Sequence, residues 1–130
     1  MACLLVGIVT GIVIGLTVVF SGSSSGRHES LVASWVRKER LPSAAVPGAN
    51  VFATAGCTAC HTYAGSGQKA LNAPDLTAIG SRHLGVAFEI RFLRCPSCVN
   101  PGSPMPPFDQ LGTRRLRQLA VFLDDSKGIG

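Results

Sequence analysis

Hydrophobic and polar positions change their period several times along the chain. Ala2 to Phe20 is an unbroken run of 19 residues without a charge. As a helix rising 1.5 Å per residue it covers about 28 Å, close to the thickness of a bilayer's hydrocarbon core. This predicts a transmembrane anchor over residues 1–20. No Lys or Arg precedes the run, and it is longer than the apolar part of a secretory signal, so a retained helix is favoured over a cleaved leader. Gly7, Gly11 and Gly15 recur every four residues, on one face that would admit the backbone of another membrane helix. Cys3 has only two residues before it and reads as a small apolar residue rather than a lipidated one.

Beyond the anchor, Ser21 to Gly26 has nothing to bury and reads as a flexible linker. From Glu29 to Leu41, Leu31, Val32, Trp35 and Val36 share a helical face, with Arg37, Lys38 and Arg40 in the last turn before Pro42. A short amphipathic helix follows, whose Trp beside basic residues suits a membrane headgroup layer, a partner protein's surface or simple solvation. Residues 42–47 hold two prolines, so residues 21–47 form a linker with one short helix and the folded domain is expected over 48–130. Within it, Leu84 to Leu93 reads as a middle helix. Thr113 to Asp125 carries Leu116, Leu119, Ala120 and Leu123 at the spacing of an amphipathic helix.

Composition adds little to that outline. The chain has 130 residues, 46% hydrophobic and 15% charged, enough for one small domain and an anchor. Net charge is +5, of which residues 48–130 hold eight basic and five acidic side chains, or +3. Arg114, Arg115 and Arg117 would speed encounter with an acidic redox partner, or are simply a solvated helix face. No nucleic-acid motif is present.

The chemistry is concentrated in Cys57-Thr58-Ala59-Cys60-His61. Two thiols spaced by two residues add to the vinyl groups of a haem, and the adjacent His ligates its iron. A second axial ligand has to come from elsewhere. Apart from Met1 the only Met is Met105, in a stiff Pro101-Gly-Ser-Pro-Met-Pro-Pro-Phe108 segment that would position a weak thioether ligand in advance. His28 and His83 are fallback ligands.

On these motifs residues 48–126 resemble the class I, mono-haem cytochromes c, as found in cytochrome subunits of respiratory or photosynthetic complexes. Gly48 and Phe52 resemble the family's first-helix Gly and aromatic, and Phe122 the aromatic of its last helix. Pro74 and Leu76 resemble the segment whose Pro carbonyl accepts the ligand imidazole's N–H and whose Leu packs on the haem. Arg82 resembles an Arg that neutralises a haem propionate, and Tyr63 is a second candidate for that contact. The resemblance implies an all-α cytochrome c fold, three main helices around one covalent haem c with His61 and Met105 as axial ligands, preceded here by one transmembrane helix. With both axial positions filled, it implies an electron carrier rather than an enzyme.

Cys95-Pro-Ser-Cys98 departs from the family. No His follows it, so it is not a second haem site, and outside the cytoplasm it is expected to form a small disulfide near the Met105 segment. A rival reading takes Cys57, Cys60, Cys95 and Cys98 as a structural zinc site in a membrane-tethered binding module. The 34 residues between the pairs are too many for the usual spacing, and zinc leaves His61 and Met105 without a role. Haem attachment requires the extracytoplasmic side, although Arg27, Arg37, Lys38 and Arg40 follow the anchor and would favour the opposite orientation. The expected protein is a single-pass membrane cytochrome that exchanges electrons with donor and acceptor proteins. Its Gly7/Gly11/Gly15 face would pack on other subunits of a quinol:cytochrome c oxidoreductase, an oxidase or a photosynthetic complex. A free membrane-tethered shuttle is the alternative, and a haem sensor that releases Met105 is a third.

Overall fold

The computed structural model describes residues 23–129. The expected transmembrane helix, with Cys3, Gly7, Gly11 and Gly15, lies outside the described residues, and among the described residues no helix is long and apolar enough to cross a membrane. What is described is mostly helical.

The first described helix, α1 (Ser23–Lys38), takes in Ser23 to Gly26 of the expected flexible linker and so extends ahead of the expected Glu29. Composition alone does not separate a serine-rich helical segment from a tether. The helix ends where Arg40 turns left-handed at φ 50°. The Leu41 N–H then reaches back to the Val36 carbonyl at 3.1 Å, the closure of a Schellman cap, and both side chains join the core.

Trp35 meets none of the three surroundings expected of it, a headgroup layer, a partner's surface or solvent. It is 1% exposed and packs edge-on against Phe52 and Tyr63, with ring centroids at 5.8 and 5.2 Å, while Phe122 stacks on it at 6.4 Å. Its indole N–H reaches Ser66 Oγ at 3.3 Å. The basic residues beside it stay outside: Arg37 is exposed, and Lys38 reaches the Ala64 carbonyl at 2.9 Å. An amphipathic pattern looks the same whether its apolar stripe meets lipid, a partner or the chain's own core. Here it meets the core, so residues 31–47 belong to the folded unit and are not a linker.

After a 3-10 turn at Ser43–Ala45, helix α2 (Val46–Thr54) begins with Pro47 in its first turn, two residues ahead of the expected Gly48. Gly48 lies where α2 crosses the last helix, α5 (Gly112–Asp125). A Cβ there would collide with the Gln118 carbonyl and come within 2.5 Å of Phe122 Cβ. A two-strand hairpin follows, β1 (Thr62–Tyr63) against β2 (Ser66–Gly67). Its turn residues Ala64 and Gly65 both have positive φ, at 48° and 82°, as a type I′ turn needs. The middle helix is α3 (Val86–Arg94), joined through a four-residue helix α4 (Pro96–Val99) and an extended segment to α5. Leu116, Leu119, Ala120, Phe122 and Leu123 of α5 are buried, and α5 packs on both α2 and α3.

Candidate functional site

The helices enclose a cavity of about 600 Å3, within the roughly 300–1,000 Å3 typical of cofactor and ligand sites. Phe52, Leu76, Phe88, Phe92, Leu93, Phe108, Leu119 and Leu123 make it predominantly apolar. Cys57, Cys60, His61, Pro74, Arg82 and Met105 line it as well.

The backbone before His61 is wound tightly. Gly56, at φ 89°, ends α2 and opens a 3-10 turn at Cys57–Ala59. The N–H groups of Cys60 and His61 both point to the Cys57 carbonyl, at 3.2 and 2.9 Å. Gly67 closes the loop from the other side, where a Cβ would strike the His61 carbonyl. Both thiols are free, and burial pushes Cys57 up to about 11, so it stands as a neutral thiol.

His61 Nδ1 lies 2.9 Å from the Pro74 carbonyl. A carbonyl only accepts, so Nδ1 carries the proton and Nε2 keeps its lone pair for a metal. The Pro74 segment is itself held in place. Asp75 accepts hydrogen bonds from Thr62 Oγ1 at 2.5 Å and from the Thr77 N–H at 2.8 Å. Burial opposes ionisation of Asp75, but the bonds from Thr62 and Thr77 and the Lys69 charge outweigh it and hold the carboxyl below its usual range. The Leu76 N–H bonds the Thr62 carbonyl at 2.9 Å, which ties the hairpin to the Pro74 segment.

Met105 is half-buried, its N–H on Ser103 Oγ at 3.3 Å. The Phe108 N–H returns to the Leu93 carbonyl at 2.8 Å, tying the segment to the end of α3. Cys95 and Cys98 are joined in a disulfide at that same end.

Residues 45–93 match the cytochrome c family model. That stretch is similar to the cytochrome c family, whose members hold haem c covalently and transfer electrons. No curated protein and no solved structure gives a match. The matched stretch covers the thiols, His61, Pro74, Leu76, Arg82 and α3 as far as Leu93, and stops before Cys95 and Met105.

The residues fit a haem. Two unpaired thiols, an imidazole with its outer nitrogen fixed and a thioether meet in one apolar chamber. Zinc does not fit. Cys95 and Cys98 are consumed by their disulfide, and among the described residues no group of three or more His, Cys, Asp or Glu side chains is arranged to hold a metal ion. His28 and His83 do not line the cavity; His28 lies in a groove between α1 and α2.

Tyr63 is another correction. It is fully buried in the ring cluster and absent from the cavity wall. Ser126 Oγ donates to the Phe122 carbonyl at 2.7 Å, so Tyr63 is the donor in its 3.0 Å bond to Ser126 Oγ. Burial pushes this phenol up to about 12, and it braces the core instead of reaching a propionate. Two residues that sequence reasoning passed over are Asp75, which steadies the Pro74 segment, and Glu89, a buried carboxyl on the cavity wall. The Thr62 and Thr77 bonds to Asp75 follow from the hairpin, which no pattern announces, and Glu89 looks like any helix-surface glutamate.

Proposed function

We propose that this chain is a mono-haem, class I cytochrome c that carries single electrons at a membrane. The haem is held through thioethers to Cys57 and Cys60, with His61 and Met105 as axial ligands. The observation that carries the proposal is the 2.9 Å contact between His61 Nδ1 and the Pro74 carbonyl in a cavity also lined by both thiols and Met105. Bound there, haem supplies a one-electron couple exchanged through its edge.

The protein's part is to orient and to exclude water. The Pro74 carbonyl holds the His61 tautomer, the Pro-flanked segment and its tie to Leu93 hold Met105, and the apolar wall keeps the dielectric low. Arg82 is exposed and lines the cavity rim, where its guanidinium would offset a propionate's charge.

The 19-residue apolar run supports attachment to a membrane, with the domain on the extracytoplasmic side where haem is joined to thiols. Membership of a larger electron-transfer complex rests on the Gly7/Gly11/Gly15 pattern alone, because Trp35 is spent inside the core. That burial favours the second reading, a tethered shuttle.

Intact mass under denaturing, non-reducing conditions tests the core of the proposal. A gain of one haem's mass is expected, and bare polypeptide mass would end it. Co-purification with other haem subunits in mild detergent would select the complex subunit, and isolation as a lone chain would select the shuttle.

A further inference from the structure

Among the described residues that line the cavity, the only Asp or Glu is Glu89 and the only Arg or Lys is Arg82. The two differ in setting. Arg82 is exposed, whereas Glu89 is 6% exposed, on a helix whose Phe88, Phe92 and Leu93 line the same wall. A carboxyl is rarely buried unless it is paired or has a task.

The charged groups around Glu89 are few. From α5 comes Asp124, and from the turn at Ile79–Arg82 comes Arg82. Lys127, beside Asp124, is engaged with the Gly80 and Asp124 carbonyls. On α3 itself Arg91 and Arg94 are exposed. Helix α2 and the segment 100–108 carry no ionisable side chain, and the cysteines flanking and within α4 are disulfide-bonded. Burial raises the pKa of Glu89, Asp124 adds to the rise and Arg82 offsets part of it.

We propose that Glu89 is a redox-linked proton site, whose carboxyl takes a proton from solvent when the domain accepts an electron and returns it when the electron leaves. The physical cause is electrostatic. An ionised carboxylate on a low-dielectric wall stabilises the oxidised centre, with its extra positive charge, over the reduced one. By linkage the reduced protein holds the proton more tightly. The balance is one electron and one proton gained together, with the proton supplied by water and the electron by the one-electron donor. Glu89 has this role only if the haem reading above holds.

The test is a potentiometric titration of the haem-loaded full chain from about pH 4 to about pH 9, a range that brackets a raised glutamate. For the natural sequence the potential is expected to fall over an interval above the ordinary glutamate range. At most, the reduction equilibrium changes tenfold per pH unit there, about 59 mV for one electron. Glu89→Gln keeps the shape and removes the charge, so its potential should stay flat over that interval, at the acid plateau of the natural protein. A flat natural profile, or the same slope in Glu89→Gln, overturns the assignment and moves any coupling to another group.

A second measurement does not depend on the variant assembling. The infrared difference spectrum between reduced and oxidised protein, labelled with 13C-glutamate, should show a protonated carboxyl band that appears on reduction and moves with the label. Glu29 and Glu39, the other two glutamates, do not line the cavity. Absence of such a band overturns the assignment. Bare polypeptide mass defeats the haem reading, whereas covalent haem with a pH-independent potential defeats the Glu89 assignment alone.

Discussion

At the residue scale, single hydrogen bonds and single thiols set what the site does. Cys57 and Cys60 stand three residues apart on one tight turn, so each should be able to hold a haem alone. Cys57→Ala is expected to retain covalent haem through Cys60, and the double Cys57→Ala/Cys60→Ala variant to lose it to acidified organic solvent, as read by intact mass. The Tyr63 bond to Ser126 has its own signature. A phenol raised to about 12 in the fold, from an ordinary value of about 10, favours the folded state below that ordinary value. That contribution is lost as pH rises toward about 12, because the unfolded chain gives up its proton first. Tyr63→Phe should therefore cost about 1 kcal/mol at neutral pH. It should also flatten the alkaline limb of the stability profile measured by denaturant titration.

At the scale of elements, α1 is the informative one. Its Trp35 closes the ring cluster of Phe52, Tyr63 and Phe122. Trp35→Ala should destabilise the fold by about 3–5 kcal/mol, seen as a lower denaturant midpoint, the magnitude usual for emptying so large a site. A helix that only touched lipid or a partner would leave that midpoint unchanged. The α2–α5 crossing gives a second test. Gly48→Ala places a methyl against the Gln118 backbone, which cannot yield as a flexible side chain would. About 1–3 kcal/mol of overpacking strain is expected, read by thermal unfolding of the haem-loaded protein. The Cys95–Cys98 disulfide closes a very short loop, so its removal should cost no more than about 2 kcal/mol by the chain-entropy estimate.

For the whole molecule, the folded unit takes in α1, whose Val32 and Trp35 are buried in the core, and so begins well ahead of Gly48. On the proposed membrane attachment, removing residues 1–22 is expected to shift the protein to the soluble fraction with stability changed by no more than about 0.5 kcal/mol, since it takes away none of the described core residues. Removing residues 1–38 takes Val32 and Trp35 away and should leave a chain that fails to hold haem. Fractionation and intact mass on the two truncations separate a tether at residues 21–47 from a helix built into the fold.

The sequence by itself determined the local chemistry: a Cys-x-x-Cys-His turn, a Pro-flanked Met and the stripe of α5. These are legible because each depends on spacing within one turn or one helix. Tertiary structure decided where long-range partners meet. It turned the apolar face of α1 inward onto Phe52, Tyr63 and Phe122, and sent Tyr63 to Ser126 instead of the cavity. It also buried Glu89 on the cavity wall. An amphipathic stripe states that a face must be covered and not by what, and a glutamate's letter is the same on a wet surface and in a dry chamber.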